Sequence, residues 1–286
     1  MRPAWSWQFE PDALGPVGAT LPAALTREWA LAGATGAGVR VGVVDSGIDA
    51  GHPAVGGVAG GVVVERDEGA ETGVRFVEGP HEDLFGHGTA CAGIIRRAAP
   101  QCELYSIRVL GERLTGKGMV FAAGLRWAVE HGMQVVNLSL STAKADYFAL
   151  FHELADQAYF KNVMLVCAVN NVPGPTYPSQ YASVFSVAAR SGEDPLRFAY
   201  NPTPPVEFGA PGIEVEVAWR GEATMRVTGN SFAAPHISGI IARILSKHPG
   251  LTPFQMKTVL VALADNNPDR AKPGPGRRRP GPGQES

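Results

Sequence analysis

Short apolar runs alternate along the chain with segments of helical periodicity. Two segments, 118–132 and 145–160, carry apolar residues at helical spacing. Five runs rich in β-branched and aliphatic residues predict buried strands at 40–44, 103–109, 134–138, 163–168 and 184–188. This alternation predicts a three-layer α/β fold, in which a mostly parallel central β-sheet is flanked by helices.

Two further helices are predicted near the C-terminus. A segment from about Ser231 to Lys247 begins with small and apolar residues on all sides, as a buried central helix does. The sequence TPFQ (252–255) combines a capping box with proline at the first helical position, and so opens a last helix. We predict one domain over residues 24–267, preceded by an N-terminal extension (1–23).

The composition limits the class of protein without identifying it. The 286 residues are 45% hydrophobic and 18% charged, which suits one large domain. Residues 268–286 hold five basic and two acidic side chains among prolines and glycines, and we expect this tail to be disordered. The tail has a net charge of +3, which leaves −5 for the rest of the chain. The total of −2 predicts no nucleic-acid partner, and the alternative for the tail is a nucleic-acid or membrane-surface role of its three consecutive arginines.

Targeting and cysteine features indicate a cytoplasmic protein. The N-terminus has no apolar stretch behind a basic start, and no segment has about 18 consecutive apolar residues. We therefore predict no secretory signal and no membrane partner. Three cysteines, Cys91, Cys102 and Cys167, are too few and too scattered for a disulfide framework or a zinc site. We expect a monomer without a cofactor.

Three polar residues follow predicted strands or open predicted helices. Asp45 ends the first strand, where an aspartate is more often a simple cap. His87 opens the small-residue helix GTACAGII, and histidine is well suited to move protons near neutral pH, although a lone histidine is more often structural. Ser231 follows a Gly-Asn turn, where serine is an ordinary helix cap. Each residue alone leaves the structural and the catalytic interpretation open.

Three motifs in one order favour the catalytic interpretation. VVDSGID (43–49), HGTACAG (87–93) and TGNSFAAPHISG (228–239) resemble the signature blocks of the subtilisin-like serine proteases, in that family's order of Asp, His and Ser. The similarity covers roughly residues 24–265. The resemblance implies that Ser231 is the nucleophile, His87 its base and Asp45 the group that orients the imidazole.

The resemblance also implies an oxyanion donor and a groove for an extended peptide. The family has a side-chain amide after a strand, usually preceded by glycine. In CAVNN, Asn171 falls at the amide position and Asn170 replaces the glycine, so Asn171 is the expected donor and Asn170 the alternative. The implied substrate contacts are Ser139, Leu140 and Ser141 beside the peptide, and Ala168, Val169, Asn170 and Thr176 around the primary pocket.

Departures from the family pattern bear on function. The helix after His87 runs directly into residues 96–100, so the calcium loop of many members looks deleted and we predict no metal. Cys91 is expected as a small buried hydrophobe. The match begins by about residue 24, so we expect no pro-domain of the kind that secreted members have. We predict a serine endopeptidase for intracellular processing or turnover. The alternative, suggested by Asn170, is a catalytically silent relative that binds peptides.

Overall fold

The five predicted strands form the middle of one large sheet. The structure is a computed structural model that describes residues 4, 6–9, 13 and 19–268. Within those residues the strands are β1 (Arg40–Asp45), β2 (Gly60–Arg66), β3 (Val74–Glu78), β4 (Glu103–Arg108), β5 (Val135–Leu138), β6 (Met164–Ala168), β7 (Phe185–Arg190), β8 (Ala199–Tyr200), β9 (Phe208–Pro211), β10 (Val215–Trp219) and β11 (Ala223–Val227).

The pairing of these strands is mostly parallel. Nine strands follow the order β3-β2-β4-β1-β5-β6-β7-β9-β8, and β10 pairs with β11 in a separate hairpin. Only the two edge strands, β3 and β8, run antiparallel to their neighbours in the described sheet. Parallel strands end at one edge of a sheet, so this order brings the residues after β1, β5 and β6 to neighbouring places.

Helices cover both faces of the sheet. They are α1 (Arg27–Leu31), α2 (His87–Ala98), α3 (Gly118–Glu130), α4 (Phe148–Phe160), α5 (Asn230–Lys247) and α6 (Pro253–Leu263), with 3-10 turns at Ser6–Phe9 and Ala145–Tyr147. Val43 packs in the core that contains residues of α2, α5 and α6, whereas Val44 packs in the core formed with α3 and α4. Successive side chains of a strand face opposite sides, so the two cores confirm the three-layer prediction.

The predicted element positions are confirmed to within a few residues. The segment 145–160 divides into the 3-10 turn and α4. The sequence prediction missed α1, β2, β3 and β8 to β11. Phe76 and Val77 of β3 are 45% and 47% exposed, so this edge strand lacks the buried run that identified the others. Residues 269–286 and most of 1–18 lie outside the described residues, and the predictions for them stay predictions.

Candidate active site

Asp45 and His87 form a buried pair of titratable side chains. Asp45 is the last residue of β1 and His87 the first of α2, and they are 1% and 5% exposed. His87 Nδ1 lies 2.9 Å from both Asp45 carboxylate oxygens. The Ser46 N–H donates a further hydrogen bond of 2.7 Å to Asp45 Oδ1. The carboxylate is therefore held from the backbone and in turn fixes the imidazole, with Nδ1 as the engaged nitrogen.

Glycines allow the segments that carry this pair to approach closely. Gly86, the N-cap of α2, has φ of 115°, which favours glycine. A Cβ on Gly88 would overlap the carbonyl oxygen of Gly47, so the start of α2 lies directly against the turn after β1. Gly88 thus has a specific role, because a side chain there would push the start of α2 away from the turn after Asp45.

The carboxylate controls the protonation of His87. Burial disfavours the charged imidazole, but the neighbouring Asp45 outweighs it, so the pKa of His87 is raised well above its usual value. The Cys91 thiol also contacts the pair, with Sγ 3.9 Å from Asp45 Oδ2 and 4.0 Å from His87 Nδ1. Burial raises the pKa of Cys91, so the thiol is neutral near pH 7 and Asp45 supplies the charge that acts on the imidazole.

Asp83 is a buried carboxylate that the sequence did not indicate. It is 5% exposed, and its Oδ1 accepts hydrogen bonds from Ser46 Oγ, Phe85 N and Gly86 N at 2.8–2.9 Å. Its Oδ2 accepts from the N–H and the hydroxyl of Thr89 at 2.9 and 2.6 Å. Asp83 thus joins the turn after Asp45 to the first turn of the helix of His87. A lone aspartate in a loop gave no sequence signal for this role.

Ser231 lies in the first turn of α5 and is not its cap. The N-cap is Gly229, so the interpretation of Ser231 as an ordinary capping serine is wrong. The N–H of Ser231 is among the first four of the helix, which have no partner within it, and no described group accepts from it. This N–H is therefore available to a negatively charged oxygen, and the helix dipole favours such a ligand.

Pro235 gives the Ser231 carbonyl an unusual partner. In a regular helix the N–H of residue 235 would donate to the carbonyl of residue 231, but proline has no N–H. The Ser139 hydroxyl donates to that carbonyl instead, at 2.7 Å. Ser139 Oγ in turn accepts from Asn137 Nδ2 at 2.9 Å, and Asn137 is fully buried. Two successive side-chain hydrogen bonds, from Asn137 to Ser139 and from Ser139 to Ser231, therefore tie the end of β5 to the backbone of Ser231.

Asn171 is held by its side-chain oxygen, whereas the described contact of Asn170 is through its backbone. Its Oδ1 accepts the Asn230 N–H at 2.9 Å, which leaves the Asn171 NH₂ group as the free end of the amide. Asn170 contributes its backbone carbonyl to the same contact, because it accepts from Asn230 Nδ2 at 2.9 Å. The strand-end segment and the residue before Ser231 are thereby tied together, which supports the expectation for Asn171.

One cavity of about 480 Å³ collects most of the residues named from the sequence. It is lined by His87, Ser139, Leu140, Ser141, Ala168, Val169, Asn170, Asn171 and Ser231, together with residues of the 110–118 and 142–147 segments. Thr176 does not line it. That side chain is 2% exposed, and its hydroxyl lies 2.8 Å from Ser179 Oγ, so it offers no polar surface to a substrate in the cavity. No described hydrogen bond joins His87 to Ser231 Oγ across the cavity.

Among the described residues, one cluster offers three potential metal ligands, and it consists of Asp45, His87 and Cys91. Its ligand atoms lie within 4.8 Å of one another. However, both carboxylate oxygens already accept from His87 Nδ1, and the buried thiol is protonated. A metal would have to displace this hydrogen-bonded arrangement and remove a proton from Cys91. The cluster therefore fits a proton-transfer pair better than a metal centre.

A buried acid that orients an imidazole, and a serine hydroxyl at the same cavity, form the constellation of serine proteases on several unrelated folds. Comparison with known proteins gives the family. The model of the subtilase family matches residues 36–278. The chain therefore belongs to the subtilase family, the subtilisin-like serine endopeptidases.

Individual relatives are similar over most of this chain. It is 32% identical over 239 residues to a thermostable alkaline protease of Halalkalibacterium halodurans, a match that covers 79% of this chain and 62% of that protein. It is 30% identical over 251 residues to subtilisin DY of Bacillus licheniformis, with 82% and 86% covered. The crystal structure of a cold adapted subtilisin-like serine proteinase matches with a TM-score of 0.63 at 24% identity, over 80% of this chain and 82% of the other. That likeness shows the subtilisin-like fold.

Proposed function

We propose that this chain hydrolyses peptide bonds through an acyl-enzyme intermediate, with Asp45, His87 and Ser231 as its triad. The observation that carries the proposal is the hydrogen bonding of His87 Nδ1 to both oxygens of a buried Asp45, at the cavity that Ser231 also lines. An unassisted serine hydroxyl is a weak nucleophile, and an imidazole oriented in this way is the base that it requires.

The steps follow from the roles of these groups. With Nδ1 engaged, His87 Nε2 accepts the proton as Ser231 Oγ attacks the scissile carbonyl carbon. Asp45 stabilises the imidazolium that forms. His87 then donates this proton to the leaving amine as the C–N bond breaks, and a water molecule deprotonated by the same imidazole hydrolyses the ester and regenerates the serine.

Two donors support the developing oxyanion in this proposal. They are the N–H of Ser231 at the start of α5 and the free NH₂ group of Asn171. An extended peptide would lie along the segment Ser139-Leu140-Ser141, with side chains alternating between pocket and solvent. The primary pocket would lie beside Ala168, Val169 and Asn170, which line the same cavity.

We infer a cytoplasmic role in the processing or turnover of proteins or peptides. The support is the state of the cysteines, because Cys91, Cys102 and Cys167 are all free and buried. None of the helices in the described ranges is long and apolar enough to cross a bilayer. Fractionation of the native cells tests the location. Comparison of protein N-termini between cells with the wild-type protein and cells with Ser231→Ala would identify the substrates.

Labelling with a fluorophosphonate probe tests the catalytic proposal. The probe forms a covalent bond only with an activated serine hydroxyl. We expect labelling of the wild type at Ser231 and of the control variant Ser191→Ala, whose exposed serine lies outside the cavity. Ser231→Ala and His87→Ala should not be labelled. If the folded wild type stays unlabelled while an active subtilisin reacts, the chain is instead a peptide-binding relative without catalysis.

A further inference from the structure

We propose that the cleft selects peptides with an acidic side chain close to the scissile bond, and that Lys117 and Lys144 recognise that acid. This inference rests on the proposed function, since it concerns the substrate of the same site. Both lysines line the cavity that contains His87 and Ser231, and no described lining residue is Asp or Glu.

The two ammonium groups have no carboxylate partner in the structure. Lys117 and Lys144 are exposed, and neither takes part in an ion pair within the part of the chain that the structure describes. By contrast, Lys257 pairs with Glu207 at 2.8 Å. Outside the basic C-terminal tail the chain is net negative, so two unpaired cations at the cleft are a local feature of this surface. A carboxylate on a bound peptide would supply the missing charge.

The backbone around each lysine is held by hydrogen bonds, so both side chains start from defined points beside the cleft. Lys117 is the N-cap of α3, and its carbonyl accepts the Phe121 N–H at 3.0 Å. The Lys144 N–H donates to Thr142 Oγ1 at 3.2 Å. The Tyr147 ring occupies the space that a side chain on Gly118 would fill, so the two lysine-bearing segments are in direct contact. The lysines therefore flank one end of the cleft as a single basic site.

The distance from the nucleophile sets the position of the acid. Ser139 contacts the Ser231 carbonyl, and Thr142 lies three residues further, which spans at most about 10 Å in an extended chain. Thr142 also pairs with Tyr177 through two backbone hydrogen bonds of 2.9 and 3.0 Å, so this wall of the cleft is rigid. A peptide bound along it would bring a residue two to four positions from the scissile bond opposite the lysines.

Matched peptides test the proposal by their charge. Quenched fluorogenic decapeptides would be made in pairs that differ by Glu or Gln at a single position. The tested positions would be those two to four residues from the central bond, on both sides. Exposed ion pairs are individually weak, so two lysines should favour Glu over Gln by about 2- to 30-fold in kcat/KM at one position. The ratio should fall towards one in about 0.5 M salt, because exposed charges are screened.

Removal of the charges assigns the effect to these lysines. We expect Lys117→Gln and Lys144→Gln each to lower the Glu/Gln ratio, and the double variant to bring it close to one. Lys161→Gln removes an exposed lysine at the end of α4, outside the cavity, and should keep the wild-type ratio. A wild-type ratio of one or less at every position, or an unchanged ratio in the double variant, overturns the proposal.

Binding to Ser231→Ala separates this proposal from the catalytic one. Fluorescence anisotropy of labelled Glu and Gln peptides measures the preference without cleavage. If the wild type cleaves no peptide and resists the fluorophosphonate, but Ser231→Ala binds the Glu peptide several-fold more tightly, the basic site stands and the protease assignment fails. If the wild type cleaves peptides and Ser231→Ala binds both equally, or binds neither, the basic site fails and the protease assignment stands.

Discussion

Replacement of Asp83 by asparagine tests whether this buried carboxylate holds the catalytic pair together. The side chain accepts five hydrogen bonds, three at Oδ1 and two at Oδ2, and every partner is a donor. Asn has the same shape but one oxygen and no charge. In its best orientation the oxygen keeps the donors from Ser46, Phe85 and Gly86, and the NH₂ group then faces the Thr89 N–H.

The magnitude follows from these partners. The Thr89 N–H would be a buried donor without an acceptor, which costs about 1–3 kcal/mol. The three remaining hydrogen bonds lose their charge assistance, which is worth about 1 kcal/mol for each. Because neighbouring contributions are not additive, we expect a loss of about 4 kcal/mol in the free energy of unfolding. That is a large part of the stability of an ordinary domain.

Chemical denaturation and kinetics together provide the assay. Asp83→Asn should shift the urea midpoint by the amount that corresponds to this loss, and it should lower kcat/KM, because Ser46 and the start of α2 position Asp45 and His87. Asp67→Asn is the matched control, since the Asp67 carboxylate accepts one described hydrogen bond, from Gly69 N in a turn, which an amide oxygen can replace. A loss below about 1 kcal/mol for Asp83→Asn, or equal losses for both variants, would refute the reasoning.

Three further predictions concern the triad and its surroundings. Activity requires the neutral His87 imidazole, so kcat/KM should fall with decreasing pH around a midpoint above the usual histidine pKa of about 6.5. Asp45→Asn should lower both that midpoint and the turnover. A wild-type midpoint at or below about 6.5 would contradict the raised pKa of His87. Asn171→Ala should lower kcat by about 10²- to 10³-fold, the loss measured for such a donor in subtilisin, whereas the same loss in Asn170→Ala alone would reverse the assignment. Gly88→Ala should destabilise the fold by about 1–3 kcal/mol in thermal unfolding, because its methyl group would overlap a backbone carbonyl; an unchanged Tm would show that the two segments can separate at no cost.

The sequence predicts the central elements well because they are buried on both faces. Val41, Val43 and Val44 of β1 are all less than 2% exposed, so the strand appears in the sequence as an apolar run. The hairpin of β10 and β11 was not predicted. Residues 223–226 of β11 are exposed, and half-exposed short strands leave no such run. Exposure thus hides a strand from the hydrophobic pattern, but burial does not always reveal one, because β2 was missed although Val62, Val63 and Val64 are buried.

The sequence motifs name the candidate residues of the site, whereas several of their contacts have no motif. The motifs indicate Asp45, His87 and Ser231 because each has a local sequence pattern. The support from Asp83 depends on the packing of a loop against α2 and the turn after β1, which no local pattern records. Thr176 shows the opposite case: it is close in sequence to the expected pocket, but its hydroxyl turns to Ser179 and away from the cavity surface.

The geometry of base and nucleophile depends on how two helices pack. His87 lies in the first turn of α2, and Ser231 lies in the first turn of the adjacent helix α5. Further along α5, a Cβ on Gly239 would lie 2.6 Å from Ala98 Cβ and 3.0 Å from the Ile95 carbonyl oxygen. Helices in such close contact cannot slide without a clash, so small residues far from the cavity fix the separation of its reacting groups. Within α5, Pro235 frees the Ser231 carbonyl for Ser139, which adds a second restraint at the cavity itself. The nucleophile is thus held by helix packing on one side and by a strand end on the other.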